Sequence, residues 1–174
     1  MKKYINKIII VLFLALINLN SHADIPYYLD FKYILNESAA GKKAQNQLKN
    51  ILDTGIKEIT KKEKSLQEEE KKLIEQKKLL KPEEYKARVN QLRQKVMSLQ
   101  KERNKLFQET SKKRSNARST LLKNLNPIIK EYMQEKKIRM VVDKKSLLLA
   151  DENLDITKEI IEILNKKLKS IKLN

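Results

Sequence analysis

Apolar residues recur every seven positions on both sides of Pro82, and this spacing limits the possible folds more than any other feature of the sequence. The positions are Leu52, Ile59, Leu66, Leu73 and Leu80 before the proline, and Tyr85, Leu92, Leu99 and Leu106 after it. A sustained heptad spacing places apolar side chains in one seam along a helix, and that seam needs a second helix to cover it. The sequence therefore predicts two long helices that meet near residue 82.

The break at Pro82 fits a chain that turns back on itself. If the chain reverses at residues 80–83, the seam positions of the two helices face each other in pairs, as Leu66 and Leu99 do. Proline suits the first turn of a helix, because the N–H that it lacks would have no partner there and its fixed φ matches the helix. We therefore predict an antiparallel helical hairpin, the arm, over residues 41–119. A kinked single helix that pairs with another chain is the alternative.

The first 23 residues have the pattern of a secretory signal. Three lysines precede a short apolar run, and the small residues Ser21 and Ala23 surround a cleavage position. The apolar run is shorter than the roughly 20 residues of a membrane span. We expect export with cleavage after Ala23; an uncleaved membrane anchor is the alternative.

The residue types exclude several kinds of chemistry. The chain has no cysteine, and its one histidine, His22, lies within the predicted signal. A mature chain would therefore have no thiol nucleophile, imidazole base or His/Cys metal site. The segment AAGKKA at 39–44 looks like part of a phosphate-binding loop, but Asn36 occupies the position of the first glycine of that motif. Because no pair of acidic residues stands out either, we predict that the protein is not an enzyme and needs no cofactor or metal.

The two ends of the mature chain are predicted to form one small body, the hub, from residues 24–40 together with 120–174. Apolar runs at 24–35, 138–143 and 146–151 indicate three short strands, the last two joined by a tight turn. Three short strands make a small core with exposed edges, so the hub is expected to associate into a dimer or trimer. The residues expected to form this β-rich oligomerisation body are Tyr28, Leu29, Met140, Val141, Val142, Leu147 and Leu149.

Helix ends can also be predicted from capping residues. Asn36 or Ser38 is expected to cap the first helix of the arm, because side-chain oxygens of these types accept hydrogen bonds from free N–H groups. Residues 154–173 indicate a closing amphipathic helix, capped by Asp155 or Thr157. The predicted fold is therefore mainly α, with a long helical hairpin inserted into a small β body.

Positive charge is concentrated on the second helix of the arm. The whole chain carries +17, and removal of the three signal lysines leaves +14. Residues 83–118 hold eleven basic residues and four acidic ones. The basic residues are Lys86, Arg88, Arg93, Lys95, Lys101, Arg103, Lys105, Lys112, Lys113, Arg114 and Arg118. Such a surface favours an acidic polypeptide, an anionic lipid or a nucleic acid, and export makes nucleic acid the least expected of the three.

Several segments taken together resemble the Skp (OmpH-like) family of periplasmic chaperones. They are the signal, one strand, NESAAGKKAQNQL at 36–48, the charged hairpin, and MVVDKKSLLLADENLDITKEIIEILN at 140–165. The last segment is the most specific. It contains, in the same order as the family, Val-Val-Asp, then an apolar run that ends in Ala-Asp, then Leu-Asp-Ile-Thr, and finally a helix with Leu-Asn. The resemblance covers essentially the whole mature chain.

This resemblance implies a jellyfish-shaped homotrimer in which three arms surround a cavity. The family holds unfolded outer-membrane β-barrel proteins in that cavity without ATP, and some members associate with lipopolysaccharide or anionic phospholipid. The basic residues of 83–118 would then contact the client. Gly55, in the middle of the first arm helix, weakens that helix and is predicted to act as a hinge; a tolerated glycine without a role is the alternative. The alternative is a structural coiled coil of the periplasm that binds anionic lipid or lipopolysaccharide and has no chaperone action.

Overall fold

The arm is an antiparallel pair of long helices. The computed structural model describes residues 25–173, so the predicted signal and its cleavage position lie outside it. Strand β1 (Tyr27–Leu29) and a short helix α1 (Phe31–Glu37) lead into α2 (Ala39–Glu75). The return helix α3 (Pro82–Glu135) packs along α2. The predicted helical hairpin is therefore confirmed, and the kinked single helix is excluded.

The tip of the arm contains the turn that the proline indicates. A 3₁₀ turn (Gln76–Lys78) ends the outgoing helix. Lys81 then adopts an extended conformation with φ −64° and ψ 148°, and Pro82 is the first residue of α3. Extended backbone before a proline and proline at the first helical position are both sterically favoured. Proline does not always end a helix, because α3 continues through Pro127 near the hub.

Ion pairs across the arm fix how the two helices align. Lys62 Nζ lies 2.5 Å from Glu102 Oε2, and Lys95 Nζ lies 2.6 Å from Glu69 Oε1. Both pairs join residues next to Leu66 on α2 and Leu99 on α3. The alignment is the one in which these two leucines face each other, and both line the same small interhelical cavity.

The hub has fewer strands than the sequence predicts. Within residues 25–173, β1 pairs in parallel with β2 (Val141–Asp143), with Tyr28 opposite Val142. The predicted third strand at 146–151 is wrong, because this segment is irregular and lies outside the sheet. The predicted tight turn between two strands is instead a 3₁₀ turn (Lys144–Ser146), where the Asp143 side chain accepts a hydrogen bond from the Lys145 N–H. In this single chain the apolar run therefore leaves the sheet.

The first predicted strand is also shorter than its apolar run. It stops at Leu29, because the Asp30 side chain caps α1 by accepting a hydrogen bond from the Tyr33 N–H at 2.8 Å. Ser38 caps α2 as predicted, and its Oγ lies 3.2 Å from the Gly41 nitrogen. Asn165 of the last helix adds a second cap by accepting a hydrogen bond from the Ala39 N–H at 2.8 Å.

The hub buries one apolar core built from both ends of the described chain. The last helix, α4 (Thr157–Lys167), is shorter than predicted, and the chain is extended at Leu168. The buried core residues are Leu29, Ile34, Leu125, Ile128, Ile156, Ile160 and Leu164. A second cluster, Ala40, Ala44, Ala117, Leu121 and Ile171, joins the base of the arm to the chain after α4. Hub and arm are therefore packed together at the base of the hairpin.

None of the helices within residues 25–173 combines the length and the apolar character needed to cross a membrane.

Candidate functional site

The eleven basic residues predicted to contact a client all lie on α3. Nine of them are exposed, and Arg103 and Lys113 are half-buried. The helix is exposed on its outer side because only its seam faces α2. The sequence thus placed these residues on one element, but their roles in the structure differ.

Five of the eleven have partners within the protein. Lys95 and Arg103 form ion pairs across the arm with Glu69 and Glu63. Two more form ion pairs within α3: Arg88 with Glu84 at 2.7 Å and Lys105 with Glu109 at 3.9 Å. Lys113 Nζ donates a hydrogen bond to the Leu173 carbonyl at 3.2 Å. Exposed ion pairs contribute little each, typically about 0–1 kcal/mol. These five side chains are nevertheless engaged in holding the arm.

The other six have no ion pair or hydrogen bond with the residues that the structure describes. They are Lys86, Arg93, Lys101, Lys112, Arg114 and Arg118. At about 100° per residue, their positions fall within one half of the circumference of α3, from Arg114 at the edge of the seam to the side of the helix opposite it. Their charge is therefore directed to solvent and is available to a partner.

Large apolar side chains are exposed on this same half of α3. Val96 is 51% exposed, Met97 57% and Phe107 49%. Lysine and arginine also have long apolar stems that can cover a partner's apolar surface while their charges stay hydrated. We call this mixed surface, formed by the six free cations and the three apolar residues, the outer face of α3.

The seam is only partly buried. Ile59, Leu73 and Leu99 are buried, while Leu52, Leu66, Leu80, Tyr85, Leu92 and Leu106 are half-buried. Lys77 Nζ lies 6.0 Å from the centre of the Tyr85 ring, near the tip. A two-helix arm has no third element to cover the edges of its seam. Its packing is therefore thin compared with that of the hub.

Gly55, the predicted hinge, is in close contact with the opposite helix. A Cβ built at Gly55 would lie 2.6 Å from each methyl carbon of Leu106. Glycine therefore also makes room for Leu106, a role that its position in a helical pattern did not indicate. The hinge role stays a prediction.

The seven residues predicted for the oligomerisation body do not form one buried surface in this chain. Tyr28 and Leu29 are buried, and Val141, Val142 and Leu147 are half-buried. Met140 is 56% exposed and Leu149 is 96% exposed. Leu148, which the prediction omitted, is fully exposed at 101%.

Asp155 joins three parts of the hub by hydrogen bonds. Its carboxylate accepts hydrogen bonds from the Thr157 N–H at 2.9 Å, from the Thr157 hydroxyl, and from Lys144 Nζ at 3.4 Å. The Thr157 Oγ1 in turn accepts a hydrogen bond from the Asp30 N–H at 2.9 Å. Burial acts to raise the pKa of Asp155, but the hydrogen bonds from Thr157 and the charge of Lys144 outweigh it and hold that pKa below its ordinary value.

The fold and the distribution of charge define a class of protein: a compact hub that carries a long, basic, two-helix arm.

No group of three or more His, Cys, Asp or Glu side chains between residues 25 and 173 is arranged to hold a metal ion.

Comparison with known proteins places this architecture in a family. The family model for outer membrane protein (OmpH-like) matches residues 27–164, and the chain therefore belongs to the OmpH-like family. A similar solved structure is that of an OmpH-like protein from Caulobacter crescentus CB15, assigned as an outer membrane chaperone. It has 22% sequence identity and a TM-score of 0.81, over 86% of this chain and 90% of that one. This likeness shows a shared fold. None of the curated proteins matches the chain significantly.

Proposed function

We propose that this protein is an ATP-independent chaperone of the periplasm that holds unfolded outer-membrane β-barrel proteins and prevents their aggregation. Membership of the OmpH-like family supports this proposal, as does the structural likeness to a protein assigned as an outer membrane chaperone. The predicted secretory signal is consistent with a place of action outside the cytoplasm. The outer face of α3 is the observation that carries the proposal.

The outer face of α3 has the chemistry that loose holding requires. Six free cations attract acidic stretches of a client over about a Debye length, which is roughly 8–10 Å at working salt. Val96, Met97 and Phe107 offer apolar contact between these charges. A protein without an energy source must release its client when folding elsewhere becomes favourable. Many weak contacts allow this release, whereas one tight site would prevent it.

A homotrimer is part of the proposal. The hub of one chain leaves Leu148 and Leu149 exposed beside a very short sheet, and large exposed apolar side chains of this kind often mark contacts between subunits. With +14 on each mature chain, three copies would carry roughly +42. Three arms extending from one hub would surround a client with basic surface on several sides.

The test is a comparison of aggregation with lipid binding. An unfolded β-barrel protein in urea is diluted into buffer with and without the purified mature protein, and light scattering is followed. The proposal expects suppressed scattering without ATP, and loss of suppression when the six free cations are changed to glutamine. Sedimentation with vesicles of anionic phospholipid or lipopolysaccharide, without suppression of scattering, would instead support a structural coiled coil that binds lipid.

A further inference from the structure

A groove of about 1080 Å³ lies where the base of the arm meets the hub. We call it the basal groove. It is lined by residues of α1, α2 and α3, by the turn after β2, and by Ile171 beyond α4. Its volume slightly exceeds the range of about 300–1,000 Å³ that is usual for binding sites. The groove is distinct from the outer face of α3, although Arg114 and Arg118 contribute to both.

The floor of the basal groove is apolar. Its lining includes Leu35, Leu48, Leu52, Ala117, Leu121 and Ile171. Gly41 also lines it, where a Cβ would lie 2.1 Å from the Leu35 carbonyl oxygen. The floor is therefore built on closely packed backbone at the junction of α1 and α2. Apolar side chains of a ligand would gain free energy by leaving water here.

The rim of the basal groove has an excess of positive charge. Lys32, Lys49, Arg114 and Arg118 line it and have no ion pair within residues 25–173. Lys144 and Lys145 also line it but are paired with Asp155 at 3.4 Å and Asp143 at 3.2 Å. Asp30, one of the two acids in the lining, caps α1. Four cations thus remain for an anionic ligand.

Side-chain amides give the groove a third property. Asn46 lines it and makes no hydrogen bond with the part of the chain that the structure describes, and Gln45 Nε2 donates to Asn36 Oδ1 at 2.8 Å. An amide side chain offers both a donor and an acceptor, the combination that matches a peptide backbone. The acyl chain of a lipid, by covering the Asn46 amide, would leave that group without a partner.

We propose that the basal groove binds a short segment of unfolded polypeptide in which apolar side chains are flanked by aspartate or glutamate. The apolar floor takes the apolar side chains, the four free cations pair with the carboxylates, and the amides contact the backbone. This inference rests on the proposed function and sharpens it, because it gives the client a preferred docking point at the packed base of the arm. The outer face of α3 would then hold the rest of the client by weaker contacts.

The direct test uses two synthetic peptides of 12 residues with the same apolar residues, one flanked by glutamates and the other by lysines. Binding of each labelled peptide to the full mature protein is measured by fluorescence anisotropy. Arg114→Gln with Arg118→Gln should raise the Kd of the glutamate-flanked peptide roughly fivefold to tenfold, as expected for the loss of two charge contacts of about 0.5–0.7 kcal/mol each. Lys64→Gln with Lys71→Gln, the same change of charge on α2 outside the groove, should raise it less than twofold.

A second readout locates the peptide by steric block, and the groove variant and its control each lose one lysine charge. Because the chain has no cysteine, Lys49→Cys and Lys71→Cys each provide a single thiol for a bulky maleimide label. A label at position 49 should block the glutamate-flanked peptide, and a label at position 71 should leave its binding unchanged. Equal binding to both labelled proteins, or equal affinity for the two peptides, would overturn the inference.

Parallel measurements separate this inference from the proposed function. If the groove variant binds the peptide normally while the wild type still suppresses aggregation, the groove assignment fails and the chaperone proposal stands. If the wild type does not suppress aggregation, the chaperone proposal fails independently of where the peptide binds. If the groove variant binds the peptide normally but no longer binds phosphatidylglycerol vesicles, the groove is a lipid site and the inference is overturned. If the groove variant binds the peptide normally but sediments with a different mass, the groove is a contact with a second copy, and the inference is overturned as well.

Discussion

Individual residues at the junction of arm and hub decide how closely the backbone can pack. At Gly41 a Cβ would lie 2.1 Å from the carbonyl oxygen and 2.9 Å from the carbonyl carbon of Leu35. Both atoms belong to backbone, which cannot move without disturbing α1. Gly55 differs, because the atoms that its Cβ would meet belong to the end of the flexible Leu106 side chain. The two glycines of the chain therefore tolerate substitution differently.

Gly41→Ala should lower the free energy of unfolding by about 1–3 kcal/mol, the usual cost of overpacking a closely packed site. Gly55→Ala is the matched control. Its gain of about 1 kcal/mol in helix propensity should roughly offset the displacement of Leu106, so that stability changes little. Urea denaturation followed by circular dichroism measures both. Equal stability of the two variants would contradict the assigned role of Gly41.

The lowered pKa of Asp155 predicts that the stability of the hub depends on pH. Its pKa is lower in the folded protein than the ordinary value of 3.8, so the folded state favours the carboxylate. The resulting stability is present above the unfolded pKa and is lost as the pH falls through the folded pKa. The wild type should therefore exceed Asp155→Asn in free energy of unfolding at pH 7, and the difference should shrink below about pH 4. A difference that stays constant from pH 7 to pH 3 would show that the charge of Asp155 is not its source.

At the scale of elements, the arm and the hub are held together by different forces. The hub has a core of buried side chains, including Leu29, Ile160 and Leu164, all at 0% exposure. The middle of the arm combines a half-buried seam with exposed ion pairs and a cavity of about 320 Å³ next to Leu66 and Leu99. Salt screens exposed ion pairs, whereas apolar burial does not depend on that screening. The arm should therefore be the more salt-sensitive element.

Raising the sodium chloride concentration from about 0.05 M to 1 M should accelerate amide hydrogen exchange in the middle of the arm, because the Debye length falls from more than 10 Å to about 3 Å. The segments to follow are 62–69 and 95–103, with the base of the arm around Ala44 and Leu121 as the internal control. In the triple variant Glu63→Gln, Glu69→Gln and Glu102→Gln the salt effect should largely disappear. A uniform response along the whole arm would contradict a role for these ion pairs.

At the scale of the whole molecule, one chain exposes apolar surface that a soluble monomer would not be expected to keep. Leu148 and Leu149 lie in the irregular segment after β2, and they make the apolar run that sequence patterning assigns to a strand. In the proposed trimer a second chain would cover these two side chains and remove them from water.

Leu148→Glu with Leu149→Glu should convert a trimer into monomers, because charges at a subunit contact lose hydration without gaining a partner. Leu79→Glu is the control, since Leu79 is 84% exposed but lies at the tip of the arm. Analytical ultracentrifugation at micromolar concentration measures the mass, and circular dichroism checks that helix content is kept. A wild type that sediments as a monomer, or a double variant that keeps the mass of the wild type, would refute this contact.

The heptad spacing and Pro82 were sufficient to predict the arm, its reversal and the alignment of Leu66 with Leu99. Helix periodicity and a proline at the first turn are local properties, so they can be read from nearby residues. The Ser38 cap was predicted for the same reason. Membership of the OmpH-like family was also recognisable from the C-terminal segment, because its residues follow one another in order.

Contacts between segments far apart in the chain were decided only by the tertiary structure. Three features depend on what the reversed arm brings together: the parallel pairing of β1 with β2, the exposure of Leu148 and Leu149, and the cap that Asn165 gives α2. The same holds for the division of the basic residues into paired and free ones, since Lys95 and Arg103 find their acids on the other helix. A sequence pattern specifies which face of an element is apolar or charged. Which partner covers that face depends on distances that exist only once the chain has folded.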